Sequence, residues 1–79
     1  MRGFCEIISV DTNDLFFSFT PFTANADAHY LVTVALSGSS SVSFEMEKSQ
    51  CGTWHFGRNA PRWIVGLQPE LARAISSNR

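Results

Sequence analysis

The sequence predicts an α+β fold: an antiparallel sheet of four to five strands in meander order, with a C-terminal helical segment packed on one face. Three observations carry this. Val42 to Lys48 alternates without a fault, Val42, Phe44 and Met46 against Ser43, Glu45 and Glu47, as a strand does with one face on a core and one in water. Similar segments upstream are separated by clusters of turn formers. After residue 60 the apolar spacing changes from two to three and four, which is helical.

Phe4 to Val10 is the first strand, with Phe4, Glu6, Ile8 and Val10 on one face and Cys5, Ile7 and Ser9 on the other. Asp11-Thr12-Asn13-Asp14 is a run of turn formers and implies a hairpin. Leu15 to Thr20 is the second strand, with Leu15, Phe17 and Phe19 opposed to Phe16, Ser18 and Thr20. Pro21 is expected to end it or to place its end at a sheet edge, because proline cannot donate to a ladder. Residues 23–27 read as a loop. Tyr30 to Leu36 is the third strand, residues 37–41 a flexible connection, and Val42 to Lys48 the fourth strand. Ser49-Gln50-Cys51-Gly52 is a turn into a short fifth strand, residues 53–56, with Trp54 and Phe56 inward.

In the C-terminal segment Asn59 is an expected N-cap and Pro61 suits a first turn, where its missing N–H would have no partner anyway. Pro69 in the middle of one long helix would cost about 3 kcal/mol. The segment therefore divides into a helical turn at 61–67 and a second helix from Pro69 to about Ser76, with Glu70 near the positive end of its dipole. The expected core joins Phe17, Phe19, Val32, Val34, Phe44, Met46 and Trp54 of the sheet to Trp63, Ile64, Leu67, Leu71 and Ile75.

Seventy-nine residues make one small domain, 1–79, and such a chain buries only about 60% of its unfolded surface. Seven Phe, two Trp and one Tyr supply the bulk for its core. Two cysteines do not make a disulfide framework. Glu6 interrupts the first apolar run before it resembles a signal peptide, and no run approaches the roughly 20 residues of a membrane helix. The expectation is a cytoplasmic protein with reduced thiols and no membrane partner. Residues 1–47 hold six acids against Arg2 alone, while residues 48–79 hold five bases against Glu70. Halves of opposite sign argue against a dedicated nucleic-acid binder, which presents a dense basic face.

Chemistry-bearing residues are few. Cys51 and His55 could form a thiolate pair, yet residues four apart on one strand stand about 13 Å from each other. Cys5, His29, Cys51 and His55 are the zinc-type ligands, scattered with no paired spacing. Glu45 and Glu47 lie side by side on an open strand, unlike carboxylates that flank a cleft. Phosphate-cradling glycine motifs are absent. No catalytic residue, cofactor or metal site is assigned.

The expected function is a small non-enzymatic binding or assembly module acting through protein–protein contacts. Phe16, Phe22 and Leu31 are its candidate interface residues, and a homodimer is the expected partner state. Two alternatives stand beside it: a small enzyme using Cys51 or His55, and a nucleic-acid or carbohydrate binder on an exposed aromatic face.

Overall fold

The computed structural model describes residues 3–24, 27–36, 40–57 and 60–78. Five strands, β1 (Phe4–Val10), β2 (Asn13–Ala24), β3 (Asp27–Ala35), β4 (Ser41–Lys48) and β5 (Trp54–Phe56), precede two helices, α1 (Arg62–Val65) and α2 (Gln68–Ser77). The strands pair antiparallel in chain order, β1-β2-β3-β4-β5. The α+β meander with a helical layer on one face is thus the architecture of the chain.

β1 and β2 join through a two-residue turn, Asp11-Thr12, with Val10 opposite Asn13. Asp11 adopts φ 58°, a left-handed conformation that Asp tolerates better than most side chains. The expected Asn59 cap and the centres of two expected loops, at 25–26 and 37–39, lie outside the described residues. Pro61, expected in the first turn, is instead the extended N-cap of helix α1, which has no side-chain cap bond. Pro69 stands in the first turn of α2, where its missing N–H leaves no gap.

The core lies between the sheet and the helices. Phe17, Phe19, Tyr30, Val32, Val34, Phe44, Met46 and Trp54 from the sheet meet Ile64, Leu71, Ala74 and Ile75. Burial of a side chain such as Ile64, Leu71 or Ile75 stabilises by roughly 1.5–3 kcal/mol, so the helical layer is held by apolar contact before any polar bond. Two polar bonds then fix its position. The Gln68 side chain donates from Nε2 to the Trp54 carbonyl at 2.7 Å, tying the start of α2 to β5. Asn78 donates from Nδ2 to Glu6 Oε1 at 2.9 Å, tying its end to β1.

Three expectations are corrected. The loop expected at 23–27 gives way to strand at its ends, because β2 runs to Ala24 and β3 starts at Asp27. Pro21 does not end β2, which continues to Ala24 with Pro21 opposite Tyr30. Backbone groups in an antiparallel ladder alternate sides. Odd-numbered residues of β2 face β1, and the β1 ladder starts at the Phe4–Phe19 pair. The prolyl nitrogen therefore points past the end of β1, and the ladder to β3 loses nothing. Trp63 is not a core residue; it is 41% exposed. In the four-residue α1, Ile64 faces the sheet. A turn of about 100° per residue swings Trp63 and Val65 away from it.

Candidate functional site

The helices cover one face of the sheet, and among the described residues the other face has no second layer. Because side chains alternate along each strand, the uncovered face can be read as cross-strand rows. One row runs Ile7–Phe16–Ala35–Ser41 from β1 to β4. The next is polar, Cys5–Ser18–Thr33–Ser43, with the Thr33 and Ser43 hydroxyls hydrogen-bonded at 3.0 Å. Beyond it come Thr20–Leu31–Glu45 and then Phe22–His29–Glu47–His55.

Large apolar side chains on this face remain in water: Ile7 is 64% exposed, Phe16 50% and Leu31 40%. Ile7 and Phe16 are directly opposed on neighbouring strands. Leu31 lies two rows away, across the polar row. Phe22 is half-buried because its ring stacks on His29, with centroids 5.1 Å apart and planes 23° from parallel. Of the three interface residues expected from sequence, Phe16 and Leu31 are open and Phe22 is partly covered. Ile7, which the sequence reading assigned to this face without marking it, is the most exposed of the four.

The fourth row gathers the ionisable groups. Glu47 stands between the histidines, its Oε2 3.7 Å from His29 Nδ1 and its Oε1 3.9 Å from His55 Nδ1. His29 Nδ1 is buried without a hydrogen-bond partner. Among the described residues no three His, Cys, Asp or Glu side chains are grouped to hold a metal ion.

Cys51 sits apart from that row, exposed in the β4–β5 turn, which closes with Gly52 at φ +91°. The Ser49 hydroxyl lies 3.0 Å from its sulfur and the Thr53 hydroxyl 3.6 Å. These hydroxyls, the first more than the second, lower the thiol from 9.0 to about 7 by donating to the thiolate. No hydrogen bond joins Cys51 to His55. Cys5, also free, lies on the uncovered face with its sulfur 4.0 Å from the Ser18 hydroxyl.

An open groove of about 650 Å³ lies beside the β1–β2 turn, where Trp63 stands with Leu15, Leu36, Asp11 and Asp14. A Trp face can stack on a sugar ring, and carboxylates beside it can accept hydrogen bonds from the sugar hydroxyls; the same carboxylates repel a polyanion.

No helix among the described residues is long and apolar enough to cross a membrane. In comparisons with known proteins, no family model matches the chain, and no curated protein or solved structure matches it.

Proposed function

We propose that this chain is a small non-enzymatic assembly module that acts through protein–protein contacts and first with a second copy of itself. One observation carries the reading: Ile7 and Phe16 stand side by side in water, on a sheet face with no covering layer. Leaving such side chains half wet forgoes about 1–2 kcal/mol each, and a pair of neighbouring apolar side chains in water offers a place for a contact. A second copy brings an identical cluster to meet it with no further sequence, since a two-fold interface uses the same patch twice. The reading places the protein in the cytoplasm with both thiols reduced, without a membrane or nucleic-acid partner.

Sedimentation equilibrium at micromolar concentration tests it. The expected particle is a dimer, and Phe16→Asp shifts it to monomer with an unchanged circular dichroism spectrum. A particle of monomer mass throughout the concentration range overturns the reading.

The half-exposed Trp63 on its groove favours one second reading, a carbohydrate binder. Trp54 is buried and Trp63 is not, so sugar-dependent quenching of tryptophan fluorescence reports on Trp63. Its loss in Trp63→Phe would locate the sugar in this groove.

A further inference from the structure

The sheet has two borders, and among the described residues one of them is bare. Gly57 donates its N–H to the Glu45 carbonyl at 2.8 Å, so odd-numbered residues of β4 face β5. Carrying the alternation strand by strand through the register leaves even-numbered residues of β1 bonded to β2. The two-residue turn between Val10 and Asn13 gives the same parity independently. Cys5, Ile7 and Ser9 therefore aim their N–H and C=O groups at the open border, without partners among the described residues.

Natural sheets block such a border with proline, lysine, a bulge or a very short strand. β1 is seven residues, FCEIISV, in unbroken register with β2, and its one blocking device is the charge of Glu6 on the helix-covered face. Beside it runs a groove of about 230 Å³ between β1 and α2, lined by Glu6, Ile7, Ile8, Glu70, Arg73 and Ala74, with Ser77 at one end. An added strand would drop alternate side chains into that groove and lay the others beside Ile7.

We propose that β1 of a second copy adds to this border, antiparallel, across a two-fold axis at Ile7, so that two sheets become one of ten strands. This rests on the assembly reading above and specifies its geometry. The sequence of β1 selects the register. With the axis at Ile7, all seven residues pair: Phe4 with Val10, Cys5 with Ser9, Glu6 with Ile8 and Ile7 with its own copy. The apolar rows of the two molecules then meet end to end, Phe16–Ile7 against Ile7–Phe16 of the second copy. Each Glu6 lies at the rim of the other copy's groove, and turning its carboxylate there exchanges the hydrogen bond from Asn78 for the charge of Arg73, which has no ion pair among the described residues. An axis at Glu6 would instead set two carboxylates directly opposite each other, which is repulsive. An axis at Ile8 shortens the ladder by two residues.

Cross-linking distinguishes these geometries. In a Cys5→Ser/Cys51→Ser background, Ile7→Cys places two thiols in a hydrogen-bonded pair with Cα atoms about 5.5 Å apart. That lies inside the range of about 4.4–6.8 Å for a disulfide. Glu6→Cys places its two thiols two residues out of line, about 8 Å apart from strand rise and spacing, too far to bridge. Copper–phenanthroline oxidation should convert Ile7→Cys to covalent dimer on non-reducing gels and leave Glu6→Cys monomeric. Ile7→Pro removes the outward N–H without touching the β2 ladder; it should sediment as a folded monomer where the unmodified chain is a dimer. A dimer in which Ile7→Cys fails to cross-link, or Glu6→Cys cross-links instead, overturns the border geometry and leaves the assembly reading intact. A dimer that survives Ile7→Pro does the same. A monomer at all concentrations overturns both.

Discussion

Phe16 and Phe17 are consecutive, chemically identical and placed in opposite environments. Phe17 is 0% exposed in the core and Phe16 is 50% exposed on the uncovered face. Truncating each to alanine measures that difference. Phe17→Ala removes a ring enclosed between sheet and helices and leaves a cavity, a change that costs about 3–5 kcal/mol. Set against roughly 4–12 kcal/mol for a domain of this length, that is a large share of the whole. Phe16→Ala loses about half the transfer energy of a side chain and creates no cavity, so it costs about 1 kcal/mol in the isolated chain. Urea unfolding read by the buried Trp54 is the assay. It is run at the lowest workable concentration, so that assembly does not add to stability. The expected gap between the two variants is at least about 2 kcal/mol. Equal losses would refute the assignment of faces, because a slip of one residue in the β2 register exchanges the two rings.

Two other outcomes follow from the structure. Alkylation of Cys51 by iodoacetamide, measured in Cys5→Ser, should rise with pH through a midpoint near 7, because hydroxyl donation from Ser49 and then Thr53 favours the thiolate. Ser49→Ala should move that midpoint upward, and a midpoint unchanged by it would refute the cause. Gln68→Ala removes the bond to the Trp54 carbonyl and should cost about 1–2 kcal/mol in urea unfolding, since a partly buried acceptor is left without its donor; no measurable loss would mean that apolar contact alone docks α2.

Side-chain parity was legible in the sequence because it depends on nothing beyond the strand itself. The alternation of Val42 to Lys48 placed Phe44 and Met46 in the core, and Pro69 divided the helical segment where the structure divides it. What failed depended on neighbours. Whether Pro21 can lie inside a strand turns on the length of β1, which no local pattern near Pro21 encodes. Trp63 fitted the same apolar period as Ile64 and Leu67, but a four-residue helix has room for one inward residue. The row Phe22–His29–Glu47–His55 needs the register of four strands at once. Ile7 was assigned to its face correctly, and its importance appears only when strand order makes β1 a border.

Strand order also decides what kind of assembly the molecule can form. The opposite border, β5, is a strand of three residues. Short edges offer little ladder to a newcomer, and α2 packs against β5, held there by Gln68. Had both borders been long and bare, each copy could accept a neighbour on either side, and pairing would continue into a fibre. With β1 alone open, the proposed two-fold pairing at Ile7 would consume the only long free ladder among the described residues and close the assembly at two. The expected sedimentation record therefore contains monomer and dimer and nothing larger. Concentration-dependent growth past the dimer would mean that the β5 border, or the apolar side chains that an edge pairing leaves open on the sheet face, Phe16 and Leu31 among them, recruit further copies.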